Sequence, residues 1–291
     1  MRRPPRRLGS LVDSRDLDDY KSCTAAFPAR MRSIDAAPNP ARIDMSNRFE
    51  DLINAPSGER QRIAERLYDD YSNKRVELKS LPPSKRRQKR IAIYRKIIGA
   101  NHERILELGC GAGDLSYNLV GDAERIVATD ISQHDIEFAR QRSSFWRLGR
   151  DDLSRIEFRQ MSAVQLDLPD DHFNWAISTS MIEHLHPDDV NQHLREVHRV
   201  LQSGGSYLIW CPNRLGHHDN REGHLTMLSY RQWIDKLRSS GFRRFRSTLT
   251  ARSPLVGAGW KVLLETVLSR TGVKIMWSHL GVRNVLLVAT K

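Results

Sequence analysis

Cysteine is scarce in this chain, and long hydrophobic runs are missing. The three cysteines, Cys23, Cys110 and Cys211, form no CxxC pair and no even set, which argues against a disulfide framework and favours a reducing compartment. No apolar stretch approaches the roughly 20 residues that span a bilayer. The first residues also lack the apolar segment of a secretory signal. We therefore expect a globular cytoplasmic protein.

Acidic residues are outnumbered by basic residues at the two ends of the chain, which are strongly basic. Residues 1–100 carry 23 Lys and Arg against 13 Asp and Glu, and residues 201–291 carry 14 against 4, whereas residues 101–200 carry 10 against 18. A positive surface attracts anionic partners such as nucleic acid, phosphorylated substrates and acidic lipid headgroups. The charge is therefore compatible with binding to nucleic acid and with peripheral contact with an anionic membrane, and it favours neither.

The first part of the chain lacks a sustained apolar period. Because Pro, Arg, Asp and Ser dominate, we predict that residues 1–57 form a disordered tail. Met31 and Met45 could each be an alternative start. We expect residues 1–44 to be dispensable for folding and for ligand binding.

Residues 58–101 have helical periodicity and predict a helical cap in front of the first strand. The stretch "LPPSKRRQKR" separates two helices within it. Their apolar positions are Ile63, Leu67 and Tyr71 in the first helix and Ile91, Tyr94 and Ile98 in the second.

Residues 102–291 alternate strand and helix patterns, which predicts a parallel sheet covered on both faces. The helix after the second strand opens with a capping pattern at Ser132 and Asp135. A further helix is expected from Pro187 to just before Gly204, with Val190, Leu194, Val197 and Leu201 on one face, and another at 229–239. The predicted strands are 104–108, 125–130, 155–160, 173–179 and 205–211.

The stretches "FRRFRSTLT" and "VRNVLLVAT" fit an antiparallel pair that closes the sheet. The fold class is therefore α/β: a Rossmann-like, doubly wound, mostly parallel seven-stranded sheet with an antiparallel last strand and an N-terminal helical cap.

The stretch "ILELGCGAGDLS" places three glycines directly after a strand. Gly109, Gly111 and Gly113 bring backbone N–H groups close to a ligand. A dinucleotide fingerprint needs Gly or Ala where this chain has Asp114, so a hydride-transfer enzyme is disfavoured. Asp130 ends the second strand, where a carboxylate can accept hydrogen bonds from ribose hydroxyls. The pattern favours a ligand with a ribose and a small anionic group.

Five motifs in order resemble those of class I S-adenosylmethionine-dependent methyltransferases, in the broad group that includes quinone, sterol and glycan methyltransferases. They are "ILELGCGAGDLS", "IVATDIS", "AVQLDLPDDHFNWAISTSMIEHL", "LREVHRVLQSGGSYLIWCPN" and "GF" at 241–242. The likeness covers roughly residues 103–245. It implies an enzyme whose cofactor is S-adenosylmethionine and whose domain spans residues 102–291.

The resemblance also implies roles for individual residues. Glu107 and the glycine turn would hold the methionine part of the cofactor, and Asp130 the ribose hydroxyls. The remaining implied contacts are Ile131 on adenine, Ser162 and Ala163 near the adenine amino group, and Ser178 and Thr179 near the sulfonium. Ser162 and Asn174 stand where many relatives have Asp, which puts the adenine contacts in doubt.

The candidate catalytic residues lie in "IEHLHP" and in the loop after the fifth strand. His184 is the leading candidate for the base, with Glu183 beside it and His217, His218 and His224 as alternates. His186, His193 and His198 are expected to be solvated. Without cysteine pairs or an HExxH pattern, no metal site is predicted. A stripe of Trp260, Leu263, Leu264 and Val267 is expected to form core or to roof an acceptor pocket.

Three functions remain open. The first is methyl transfer to a small-molecule, lipid-linked or saccharide acceptor, at oxygen. The second is an RNA or DNA methyltransferase, which the basic ends favour. Against it, the fourth strand ends in "STSM" and not in the Asn/Asp-Pro-Pro-aromatic motif of enzymes that methylate exocyclic amines of bases, and no known RNA-binding module is evident. The third is a non-catalytic cofactor-binding scaffold. The acceptor and the oligomeric state do not follow from the sequence.

Overall fold

The computed structural model describes residues 49–74, 83–146, 148–214, 223–247 and 284–291. The predictions for residues 1–48, for His217 and His218, and for the stripe at Trp260, Leu263, Leu264 and Val267 lie outside these residues.

A seven-stranded sheet forms the centre of the fold, in the order β3-β2-β1-β4-β5-β7-β6. β7 runs antiparallel to both β5 and β6, and the pairings among the first five strands are parallel. The predicted fold class is confirmed. The strands are β1 His102–Leu108, β2 Ala123–Asp130, β3 Ile156–Gln160, β4 Phe173–Thr179, β5 Leu201–Pro212, β6 Arg244–Ser247 and β7 Asn284–Thr290.

Helices cover both faces of the sheet. They are α1 Glu50–Asn54, α2 Ser57–Asn73, α3 Lys85–Ile98, α4 Asp114–Leu119, α5 Gln133–Gln141, α6 Arg150–Ser154, α7 Val190–Val200 and α8 Tyr230–Ser239. Short 3₁₀ turns lie at Val120–Asp122, Arg142–Trp146 and Ile182–His184. Among the described helices, none is long and apolar enough to cross a membrane.

Neighbouring residues of each central strand pack into opposite halves of the core. Ile105 of β1 packs with α3 and α4 on one face, whereas Leu106 packs with α7 and α8 on the other. β5 repeats the pattern with Leu208 and Tyr207. This alternation buries both faces of the sheet, as a doubly wound fold requires, and explains why the strands read as continuous apolar runs.

The N-terminal boundary differs from the prediction. Within the range assigned to a disordered tail, Phe49 and Leu52 are buried and α1 forms. The reason is a tertiary contact, because the ring of Phe49 packs against Gly223 and lies 6.1 Å from the ring of Tyr68. Local periodicity does not reveal such a contact.

The start of β5 also differs. We expected Leu201 on the apolar face of a helix that ends at the double glycine, but α7 ends at Val200 and β5 begins at Leu201. The register of β5 against β4 shifts between Leu201 and Ser206. Gly204 takes a positive φ of 80° in this irregular segment. The glycines therefore belong to a bulge in the strand and do not end the helix.

Candidate functional site

The glycine turn between β1 and α4 is shaped by three positive φ angles, 73° at Gly109, 51° at Gly111 and 74° at Gly113. A Cβ at Gly109 would collide with Met181, and one at Gly113 would press on Phe158. A Cβ at Gly111 would meet no atom within 4 Å. Gly109 and Gly113 are thus required by packing, whereas Gly111 borders open space that a ligand can occupy.

Glu107 lies just before this turn, in β1, and is buried. The hydroxyl of Ser116 donates a hydrogen bond to its carboxylate. Burial raises the pKa of Glu107 to about 7. A buried carboxyl of this kind gains stability when a cationic group binds beside it, which suits an amino-acid ammonium.

Asp130, the last residue of β2, connects the glycine turn to α5. Its Oδ2 accepts the N–H of Gly111 at 2.8 Å, and its Oδ1 accepts the N–H of Ser132 at 3.1 Å. Asp130 therefore supports the turn from the end of β2, with Ile131 partly exposed next to it.

Asp114, which stands where a dinucleotide fingerprint has Gly or Ala, is buried in ion pairs. Its carboxylate lies 2.7 Å from Arg142 and 2.8 Å from Arg87 of α3. The residue therefore joins the glycine turn to the helical cap, which the motif alone does not reveal.

A buried hydrogen-bond chain connects the loop after β3 to the end of β4. Nδ1 of His193 lies 2.7 Å from the carbonyl of Ala163, so this nitrogen carries the proton. Nε2 must then accept the hydroxyl of Tyr207 at 2.8 Å, and the oxygen of Tyr207 accepts from Ser178 at 2.8 Å. The expectation that His193 is solvated is wrong, since α7 turns it inward.

The hydrogen-bond chain from Ala163 to Ser178 holds in place the candidate site residues at its two ends. Ser162 is buried and Ala163 partly exposed, with the carbonyl of Ala163 held by His193. Ser178 is fully buried and directed at Tyr207, so Thr179 is the partly exposed member of that pair.

Glu183, His184 and His224 converge beyond the end of β4. One donor atom from each lies within 4.8 Å of the others. The rings of His184 and His224 are 5.1 Å apart, and burial lowers the pKa of His184 to about 4, with His224 adding to the effect. His184 is therefore neutral at physiological pH. No sequence pattern distinguishes His224 from His217 and His218.

Helix α2 connects the segment after His184 to the start of α5, and we call the region between the glycine turn and the three side chains Glu183, His184 and His224 the cleft. Near its start, Arg60 pairs with Asp188 and Asp189, each at 2.9 Å. Near its end, Asp69 accepts the hydroxyl of Ser132 at 2.6 Å and the N–H of His134 at 3.2 Å. The helix is thus attached on both sides of the cleft.

Tyr68 projects from α2 into this cleft. Its ring meets that of His184 edge-on at 6.0 Å, and its buried hydroxyl has no hydrogen-bond partner among the described residues. Burial raises the pKa of Tyr68, and the nearby charges of Glu183 and Asp130 raise it further. Tyr68 therefore lies between the two sides of the cleft, a position that the helical pattern of α2 did not indicate.

Residues 105–205 match the family model of the methyltransferase domain. This match identifies residues 105–205 as a methyltransferase domain, and the sheet order and the glycine turn support a class I S-adenosylmethionine-dependent methyltransferase. The residues fit the cofactor, since the space at Gly111 and the buried carboxyl of Glu107 suit its methionine part.

The chain is similar to several named proteins. It is 28% identical over 144 residues, 47% of this chain and 51% of the relative, to a probable S-adenosylmethionine-dependent methyltransferase of Mycolicibacterium smegmatis. It is 31% identical over 116 residues, 37% of this chain and 40% of the relative, to the ubiquinone/menaquinone biosynthesis C-methyltransferase of Vibrio parahaemolyticus. The alignments thus cover only about half of these relatives or less.

Two solved structures share the fold. The YcgJ protein of Bacillus subtilis matches with a TM-score of 0.53 and 15% identity, over 70% of this chain and 98% of that chain. The [4+2]-cyclase SpnF matches with a TM-score of 0.57 and 16% identity, over 79% and 96%. At these identities the likeness concerns the fold alone.

Proposed function

We propose that this chain transfers the methyl group of S-adenosylmethionine to a small molecule with an ionisable hydroxyl, at the oxygen. The observation that carries the proposal is the convergence of Glu183, His184 and His224 beside the glycine turn, at the carboxyl edge of the sheet. The cofactor supplies a methyl group already activated by a positive sulfur. An oxygen acceptor then needs mainly alignment and the loss of its proton.

The cofactor side of the cleft is proposed to hold its ligand through few side chains. Glu107 and the backbone of the glycine turn would face the methionine part, and Asp130 the ribose hydroxyls. The other proposed contacts, as the resemblance implies, are Ile131, Ser162 and Ala163 at adenine and Ser178 and Thr179 near the reacting centre.

The acceptor side is proposed to orient the hydroxyl. Nδ1 of His184 lies 3.1 Å from the carbonyl of Gly223 and donates to it, so the lone pair is on Nε2. This nitrogen can accept the acceptor's O–H. A neutral imidazole with a pKa near 4 is a weak base, so orientation is its main contribution.

A second candidate is methylation of a ring carbon in a hydroxyaromatic acceptor. Relatives in Vibrio parahaemolyticus and Clavibacter sepedonicus are named as a ubiquinone/menaquinone biosynthesis C-methyltransferase and a demethylmenaquinone methyltransferase. Ionising a ring hydroxyl also activates the adjacent carbons, so the same three side chains would serve. Lipid-linked and saccharide hydroxyls fit the same chemistry, and nucleic acid remains the runner-up.

The test uses cofactor with a labelled methyl group. Purified protein is incubated with extracts separated into small-molecule, lipid, saccharide and RNA or DNA fractions, and Asp130→Ala serves as the cofactor-deficient control. We expect label in the small-molecule fraction, and product NMR then separates an O-methyl from a C-methyl group. Label in nucleic acid alone would favour the runner-up, and no transfer to any fraction would favour a scaffold.

A further inference from the structure

We propose that Glu183, His184 and His224 bind a divalent cation, with Zn²⁺ as the best match, and that an open coordination position on it receives the acceptor oxygen. The donor atoms of the three side chains lie within 4.8 Å of one another. Two imidazoles and one carboxylate form a common ligand set of catalytic zinc, in which the fourth position stays open. Imidazole donors favour zinc and its neighbours over magnesium or calcium.

The orientation of His184 suits a ligand. Because its Nδ1 donates to the carbonyl of Gly223 at 3.1 Å, its Nε2 has the lone pair. A backbone carbonyl on the second nitrogen is the usual support of a metal-bound histidine, since it fixes both the tautomer and the ring direction.

The two segments that supply the ligands are held together without an ion. The N–H of Thr226 donates to the carbonyl of Glu183 at 2.9 Å, and the hydroxyl of Thr226 donates to the carbonyl of Leu185 at 2.8 Å. With the bond from His184 to Gly223, these contacts join residues 183–185 to residues 223–226. The two segments are therefore already held together, which lowers the cost of bringing the ligands onto one ion.

The hydroxyl of Tyr68 is a second, independent sign of a ligand at this place. It is buried next to His184 and has no hydrogen-bond partner among the described residues. Leaving a buried hydroxyl without a hydrogen bond is unfavourable. A water or an acceptor oxygen on the cation would satisfy it.

The role in catalysis rests on the proposed function, whereas the binding does not. A cation on the acceptor oxygen would lower the pKa of that hydroxyl, so that its proton passes to water, and would fix the oxygen for attack on the methyl group. In this arrangement His184 is a metal ligand and no longer the proton acceptor that the sequence suggested.

The experiment measures zinc binding to the untagged full chain after removal of metal by a chelator. We expect one Zn²⁺ per chain, bound with a Kd below about 1 µM, and at least about a hundredfold weaker binding in His224→Ala and in Glu183→Gln, or about 2.7 kcal/mol. His186→Ala, two residues from His184, is the matched control and should leave zinc binding unchanged. Binding of S-adenosylhomocysteine at the glycine turn checks that each variant is folded.

Cobalt substitution of the unmutated protein gives a readout that does not depend on any variant's folding. We expect absorption bands of four- or five-coordinate Co²⁺ with nitrogen and oxygen ligands. Zinc binding weaker than about 100 µM, zinc binding unaffected by both ligand substitutions, or the absence of these cobalt bands would overturn the proposal. Methyl transfer that survives chelation would overturn the zinc proposal and leave the proposed function intact. Zinc binding without methyl transfer would overturn the proposed function and leave the zinc site intact.

Discussion

The two sides of the cleft are built differently. The proposed contacts to the methionine and ribose parts of the cofactor come from one short stretch, Glu107 to Asp130, and rely on backbone groups and glycine conformations. The acceptor side comes from three distant segments, which supply Tyr68, Glu183 with His184, and His224. A local motif can therefore specify the first side, whereas the second exists only once the chain is folded.

The sharpest way to separate the two sides is His184→Ala. Removing the imidazole takes away acceptor orientation and a proposed ligand, and leaves the glycine turn intact. We expect methyl transfer to fall at least about a hundredfold. The affinity for S-adenosylhomocysteine, measured by calorimetry, should stay within about twofold, equivalent to about 0.4 kcal/mol. A large loss of that affinity would contradict the division into two sides.

Gly111→Ala is expected to weaken ligand binding on the cofactor side. A methyl group would enter the open space at the turn, and the φ of 51° disfavours any side chain. We expect binding of S-adenosylhomocysteine to weaken at least tenfold, by about 1.4 kcal/mol. Gly121→Ala is the matched control, because its added Cβ also meets no atom within 4 Å and its φ is not positive. Equal affinities in the two variants would remove Gly111 from the site.

The electrostatics of the cofactor side give a pH dependence. Burial raises the pKa of Glu107 to about 7, so its carboxylate forms as the pH rises from 6 to 8. If the carboxylate holds an ammonium group, affinity for S-adenosylhomocysteine should rise by roughly tenfold over this range. Glu107→Gln should lack this rise, and a rise that persists in the variant would point to another group.

The same shift affects the stability of the free protein. The folded-state pKa of Glu107 lies above its ordinary value of 4.5. The stability contributed by the protonated carboxyl is therefore complete below about pH 4.5 and is lost as the pH rises through about 7. Thermal unfolding should show the Tm of the original protein falling relative to that of Glu107→Gln between pH 5 and 8.

The smallest expected effect concerns the helix that joins the two sides. Arg60→Ala removes the ion pairs with Asp188 and Asp189, which are partly solvent-exposed. Such pairs contribute up to about 1 kcal/mol, so the affinity for S-adenosylhomocysteine should fall by about fivefold at most. Arg66→Ala on the exposed face of the same helix is the control, and an equal change in both would show only a general charge effect.

The positions of the strands along the chain and the glycine turn after β1 followed from the sequence because each depends on local pattern. Continuous apolar runs marked the strands, and Asp130 lay at the expected distance from Gly109. The positions of His193 and Tyr68 did not follow, because both depend on which face of a helix meets the sheet. The choice of His224 among three histidines likewise depends on its contact with the segment after β4.

The attachment of α2 at both ends has a kinetic consequence. If the cofactor binds beneath α2, it can leave only after the contacts at Arg60 or those at Asp69 have opened. Opening steps of this kind occur on microsecond to millisecond timescales and often limit enzymatic turnover. We expect the spent cofactor to dissociate more slowly than the methyl group is transferred, so that a first turnover appears as a burst ahead of a slower steady rate.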